Sequence, residues 1–293
     1  FEERYTIKSR DPVSTGFERI DEICKGGLGK SELGVVIAPT GAGKSMVLVH
    51  LGSEALKQGK TVVHYTLELQ DTVVAGRFDS CITGVKLQDL FSFKDLIYDQ
   101  VKDLEGKLIV KEYPTKSANV NKLKQHLEKL RRSDFVPDLV LVDYGDLLQP
   151  ISSYKEKRIE LETIYEDLRG MAQEFECPVW TASQTNRSGL NAEVVTMESI
   201  SEEFNKCFVA DFIFTLSRTI TDKTNNTGRI FIAKNRNGPD GIVYPIFMDT
   251  ANIKIDVLPS TGETAEEIND NAAKRQQESL QEKYKKFRNG GKT

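Results

Sequence analysis

The residues best placed to do chemistry are the eight at Ala38-Pro39-Thr40-Gly41-Ala42-Gly43-Lys44-Ser45. Glycines at 41 and 43 let successive backbone N–H groups close around an anion, and a helix opening there adds its positive end. Lys44 is placed to reach the β- and γ-phosphates of a nucleotide, and the Ser45 hydroxyl to ligate Mg2+. The stretch departs from G-x-x-x-x-G-K-[ST] at its first position, where Ala38 stands for glycine. Context separates a phosphate loop from a chance Gly-Lys-Ser turn. Leu33-Gly34-Val35-Val36-Ile37 reads as a strand buried on both faces, and Met46 to Leu56 carries apolar residues at helical spacing. Strand, small-residue loop and helix together predict a nucleoside-triphosphate site.

Other polar residues stand at the ends of apolar runs. Glu68 follows Thr61-Val62-Val63-His64-Tyr65-Thr66-Leu67, Asp143 follows Leu139-Val140-Leu141-Val142, and Gln184 follows Pro178-Val179-Trp180-Thr181-Ala182-Ser183. Ligands of open α/β sheets bind beyond the carboxyl ends of the strands, so these residues are expected to gather around the loop. Asp143 suits the acid that helps hold Mg2+ in phosphate-loop enzymes. Glu68 reads as a general base polarising the attacking water, or as a solvated strand-end charge. Gln184 reads as a γ-phosphate sensor, or as a cap on the loop after it. In Lys234-Asn235-Arg236-Asn237-Gly238-Pro239-Asp240-Gly241 an extended backbone would point Lys234 and Arg236 the same way. Two cations on one face suit an opposing polyanion, here a neighbouring subunit's nucleotide, which makes Arg236 an arginine-finger candidate supplied in trans. A solvated pair entering a Gly-Pro turn is the other reading.

The elements that must position these groups alternate. Strands near 61–67, 108–110, 139–142 and 178–182 are separated by helical patterns over 71–82 (carrying Arg77, grouped here with the nucleotide-binding residues), 93–104, 119–132 and 159–175. That alternation predicts an α/β fold with a mostly parallel sheet flanked by helices. From Asp211 the strands near 212–214, 229–233, 242–244 and 253–255 are joined by short Gly/Asn/Asp loops and predict antiparallel hairpins. Residues 1–13 read as a linker, 14–259 as the folded domain and 260–293 as a polar, partly helical tail in which Leu280, Tyr284 and Phe287 form a narrow stripe.

With 293 residues, 39% hydrophobic and 29% charged, the composition is that of an ordinary globular protein. No run approaches the roughly 20 apolar residues of a membrane helix, and no leader is visible. Beginning at Phe1, the chain reads as a fragment. Four scattered cysteines without a C-x-x-C pair predict buried free thiols and a reducing cytoplasm. A net charge of −4 excludes a uniformly basic duplex-coating surface, while a local basic lining stays open.

Taken together, Ser14-Thr15-Gly16-Phe17, Gly26-Gly27-Leu28, the phosphate loop, Leu67-Glu68-Leu69, Val142-Asp143-Tyr144, Ser183-Gln184-Thr185-Asn186-Arg187 and Lys234 to Gly241 carry a resemblance. The chain resembles the ATPase domain of DnaB-type replicative helicases, particularly those of phages, within the RecA-like group. The last segment is close to that family's Lys-Gln-Arg-Asn-Gly-Pro-x-Gly, with Asn235 where glutamine is usual, and the family tolerates alanine at the start of the phosphate loop. The resemblance implies a ring-forming, homo-hexameric DNA helicase of the 5'-3' type in the host-cell cytoplasm, fuelled by ATP with Mg2+, with primase and a helicase loader as partners. It implies Glu68 as catalytic base, Asp143 on Mg2+, Gln184 as sensor, and Lys234 and Arg236 acting across the subunit interface. It also maps roughly Arg187 to Lys206 onto the channel segment that grips single-stranded DNA, with Arg187, Glu198, Ser199, Ser201 and Lys206 available for it. No aromatic ladder occurs in Arg187 to Ser201, so phosphate contacts rather than base stacking are the expected grip. A RecA-like recombinase or recombination mediator, and an ATP-gated loader or regulator that does not unwind, are the alternatives.

Overall fold

The computed structural model describes residues 10–152, 154–185, 192–197 and 206–290, without the side chains of 279 and 283–290. Its strands are β1 (Leu33–Ala38), β2 (Thr61–Thr66), β3 (Lys107–Glu112), β4 (Leu139–Asp143), β5 (Val179–Gln184), β6 (Phe212–Ser217), β7 (Thr227–Asn235), β8 (Val243–Asp249) and β9 (Lys254–Val257). They form one sheet in the order β3-β2-β4-β5-β1-β6-β7-β8-β9. The first six are mutually parallel, and β7, β8 and β9 are added antiparallel. The fold is the RecA-like α/β arrangement that the alternation predicts, with one difference. Strand β6, expected among the hairpins, pairs parallel with β1 and only its other edge starts the antiparallel set. Its carboxyl end therefore opens onto the same rim as the phosphate loop.

The central strands β1, β4 and β6 are buried along their whole length because both faces of the sheet are covered there. Leu33, Val35 and Ile37 of β1 join one core with Val140, Val142, Leu168 and Met171, while Val36 and Ala38 join another with Leu48, Leu51, Trp180 and Phe214. Gly34 has a steric reason: a Cβ there would lie 2.5 Å from the Trp180 ring on the paired strand. The helix Val120–Arg131 is capped by Asn119, whose side chain accepts from Lys122 N, and buries Val120, Leu123 and Leu127. The helix Ala265–Gly290 is not wholly a tail. Ala265 is buried, and Asn269 exchanges hydrogen bonds with Val194 N and O at 3.0 and 2.9 Å, whereas Leu280 is exposed. All four cysteines are free thiols, three of them buried.

Candidate nucleotide site

The phosphate loop sits between β1 and the helix Lys44–Lys57. Gly41 and Gly43 take φ of +70° and +115°, conformations that side chains rarely adopt. A Cβ on Gly43 would also lie 2.3 Å from Met248 Cε. Ala38 is instead the last residue of β1 and keeps ordinary backbone, so alanine costs nothing at the motif's first position. Pro39 O accepts from Ala42 N at 3.2 Å, which closes the loop. Lys44 Nζ rests 3.4 Å from the carbonyls of both Ala38 and Pro39, and burial lowers its pKa against the pull of Asp143, Glu68 and Asp146.

Beyond the loop lies an open cleft of about 410 Å3, lined by Thr40, Gly41, Gly43, Lys44, Ser45, Met46, Glu68, Leu69, Arg77, Gln184, Arg218, Lys223 and Thr250. The structure thus brings Lys44, Ser45, Glu68, Arg77 and Gln184 to one place, each where a strand or helix end delivers it. Glu68 is exposed, and the chain before it is tied down by Leu67 N donating to Asp143 O at 2.8 Å. Gln184 stands opposite Ala38 in the β1–β5 register, and its backbone N–H bonds Asp146 Oδ2 at 3.0 Å. Among the described residues, the cations Lys44, Arg77, Arg218 and Lys223 face this cleft against the exposed carboxylate of Glu68, a balance suited to a polyphosphate.

Asp143 lies beneath the cleft floor, 1% exposed. Neither of its carboxylate oxygens has a hydrogen-bond partner among the described residues. Burial raises its pKa to about 6, with Glu68 adding to the rise and the nearby Ser45 hydroxyl, Arg77 and Lys44 opposing it. Unpaired buried carboxylate oxygens beside a serine hydroxyl are what a hard divalent cation requires. The residues present therefore fit Mg2+, with Ser45 and Asp143 as the groups that would hold it.

Lys234 and Arg236 are elsewhere. Strand β7 runs antiparallel to β6 and ends at Asn235, so Arg236 begins a turn rather than continuing the strand. Lys234 and Arg236 still share one neighbourhood, each cation opposing the charge on the other, and an intramolecular anion, Asp211, already stands there. Asp211 Oδ1 takes Arg236 Nη1 at 3.0 Å, while its Oδ2 takes Arg169 Nη1 and the N–H of Leu33. Lys234 Nζ donates to the Phe208 carbonyl and lies 4.4 Å from its ring centroid. Since Leu33 opens β1 and the phosphate loop closes it, Arg236 is a strand length away from its own loop, about 20 Å at 3.3 Å per residue.

The turn that carries Arg236 is built with care. Asn235 donates to Ile23 O at 2.8 Å and Pro239 O at 3.0 Å and accepts from Asn237 N at 3.0 Å. Gly238 packs so closely that a Cβ would fall 2.1 Å from Ile23 O. Arg236 itself keeps 45% of its side chain exposed. With one N–H on Asp211, its five-donor fork keeps capacity for an incoming anion.

The residues expected to grip single-stranded DNA are less accessible to view. Arg187, Glu198, Ser199 and Ser201 lie outside the described residues. Of the residues expected there, Lys206 is the one that the described residues include. Its side chain is 6% exposed, its Nζ is 2.9 Å from Asp146 Oδ1, and it sits over the Tyr165 ring. Its charge is thus paired within its own chain, at a cleft it lines with Tyr144, Gln184 and Thr185. Sequence reasoning missed Arg218, Lys223 and Thr250. The signal for Arg218 was available in principle, because it directly follows β6, but grouping β6 with the hairpins hid which rim that strand points to.

Comparison with known proteins agrees with this geometry. The family model of the DnaB-like helicase C-terminal domain matches residues 12–253. Over 212 residues the chain is 31% identical to a DnaB-like replicative helicase of Enterobacteria phage T4, covering 68% of this chain and 45% of that protein. It is 26% identical to the replicative DNA helicase DnaB of Pasteurella multocida over 80% of this chain and 53% of that one. The chain thus spans about half the length of the curated relatives it matches. Among solved structures, a DnaB-like replicative helicase studied with primase superposes with a TM-score of 0.73 at 18% identity, covering 87% of this chain and 66% of that chain. A separately solved ATPase domain gives 0.72 at 18%, covering 88% and 95%. With the family model matched over residues 12–253, and a phosphate loop and a buried acid disposed on a RecA-like sheet, the chain belongs to the DnaB-like helicase C-terminal domain family.

Proposed function

We propose that this chain is the motor of a replicative DNA helicase: six copies form a ring and couple Mg2+-dependent ATP hydrolysis to 5'-3' movement along single-stranded DNA and to duplex unwinding. Lys44 and the loop N–H groups bind the phosphates, Arg77 adds charge from the adjoining helix, and Pro39, Thr40 and Ala42 shape the loop. Ser45 and Asp143 hold the metal, which supplies charge neutralisation on the phosphoryl oxygens. Glu68 orients and deprotonates the attacking water. Gln184, anchored through Asp146, senses the γ-phosphate. Lys234 and Arg236 reach the nucleotide of the adjacent copy and stabilise the charge that develops in transfer. Primase and a helicase loader are the expected partners, in a cytoplasmic setting. No helix among the described residues is long and apolar enough to cross a membrane.

The observation that carries this reading is the separation of Arg236 from its own phosphate loop, which makes a site complete only between copies. Electron microscopy with an ATP analogue and an oligonucleotide should show closed rings, and a forked duplex should be unwound when ATP is hydrolysed. Open filaments would favour the recombinase reading. Turnover without strand displacement by a complete assembly would favour the loader or regulator, and sink the helicase.

A further inference from the structure

A six-residue helix, Ile220–Asn225, links β6 to β7 and overhangs the phosphate loop. A helix this short does not hold itself in water, and the chain fixes it by other means. Thr219 and Asp222 form a reciprocal capping box. Asp222 also accepts from Thr227 Oγ1 at 2.9 Å and from Arg229 Nη1 at 3.2 Å. The following residue, Asn226, adopts the left-handed conformation and its carbonyl accepts from Met248 N at 2.7 Å. Arg218, just before the helix, is pinned to the carbonyls of Thr227 and Met248.

What this bracing presents to the cleft is Lys223. Its Nζ lies 3.6 Å from the position a Cβ on Gly41 would take, and Lys223 lines the cleft with Lys44, Arg77 and Arg218. The side chain is exposed and has no acidic partner among the described residues. An ammonium held over a ring of anion-binding N–H groups, without a counter-charge of its own, is unfavourable until an anion arrives.

We infer that Lys223 is a second phosphate-binding cation of the same chain's nucleotide site, closing over the outer side of the loop while Lys44 acts from within. The inference rests on the nucleotide-site reading above and adds a cis contact from the β6–β7 connection. At the cleft mouth the solvent screens the charge, so its contribution is moderate and depends on salt.

The test is equilibrium binding of Mg-ADP and a non-hydrolysable ATP analogue to the full chain at low salt. Lys223→Met is expected to weaken both by about tenfold, with Lys223→Arg retaining affinity within about threefold. Raising salt should narrow the gap between Lys223→Met and the parent. Lys129→Met, on the distant helix Val120–Arg131, serves as the control, and thermal midpoints confirm that each variant is folded. A Met variant that binds like the parent, or an Arg variant as weak as Met, overturns the inference while the nucleotide site stands. A parent chain that binds neither nucleotide removes both.

Discussion

Asp143→Asn should make the nucleotide-free chain more stable while abolishing turnover. The carboxyl is buried without a partner among the described residues, and its pKa is raised to about 6. An unfolded aspartate titrates near 3.9, so the native state holds this proton more tightly. Stability from this group is present below about pH 4, declines as pH rises to about 6, and is absent above that. Two units at 1.36 kcal/mol each put the cost of the buried charge at neutral pH near 3 kcal/mol. The asparagine amide introduces its own unmet donors, which cancels about 1 kcal/mol. A net gain of about 2 kcal/mol corresponds to roughly 4 °C in a domain of this size. The assay is thermal unfolding of parent and variant in chelator at pH 8 and at pH 5. The gap should be clear at pH 8 and shrink at pH 5, where the parent carboxyl is mostly protonated. Adding Mg2+ with ADP should stabilise the parent more than the variant. A variant that melts at or below the parent at pH 8 without metal would refute the claim that this carboxylate is held, at a cost, for a cation.

Three other substitutions probe the shared site. Lys44→Ala should abolish nucleotide binding or turnover, read by fluorescent-nucleotide titration. Arg236→Ala should leave binding within about threefold and cut hydrolysis at least 100-fold; full activity would refute the in-trans role. Mixing these two inactive variants should restore turnover to at most about a quarter of the parent's, because with random mixing only that share of interfaces pairs an intact Lys44 with an intact Arg236. Asn235→Ala, which removes three hydrogen bonds around the Arg236 turn, should lower kcat tenfold or more with nucleotide affinity retained, and an unchanged kcat would show that the turn does not position the finger.

The fold was legible because β1 and β4 are nearly continuous apolar runs, β2 and β5 are rich in β-forming residues, and β2, β4 and β5 lead into Glu68, Asp143 and Gln184 at the rim where ligands bind. A polar residue after four aliphatics is a local signal, so Asp143 could be placed without tertiary information, and Gln184 by its position at the end of a β-rich run. Glu68 followed in the same way. Burial and pairing are not local. Lys206 resembles any lysine in a polar stretch until the fold brings it to Asp146, three residues past Asp143, as an ion-pair partner. Lys223 likewise has no motif around it, and only the folding back of β6 alongside β1 brings it over Gly41. The Asn235 turn shows the reverse. Its sequence is highly specific, yet much of that specificity maintains shape: asparagine reaches Ile23 O and glycine clears it, so the motif marks the support of Arg236 as much as Arg236 itself.

The support also constrains how the two halves of the site can communicate. Asp211 touches the N–H of Leu33 at the start of β1, Arg169 on the helix Lys157–Glu174, and Arg236 on the turn. At the other end of the same strand, Ala38 opens the phosphate loop and pairs with Gln184. A single buried strand therefore joins the Arg236 turn to the phosphate loop, which under the proposed in-trans role links the residue offered to one neighbour with the loop served by the other. Such a strand is packed on both faces and transmits displacement rather than absorbing it. Under the proposed in-trans role, a pull on Arg236 by a neighbour's phosphate would act on Asp211, and through it on the base of β1 and on the helix behind it. In the proposed ring, the occupancy of one interface would then bear mechanically on the next. Sequential firing in that ring would need no separate relay, only the rigidity of the sheet already required to hold the phosphate loop.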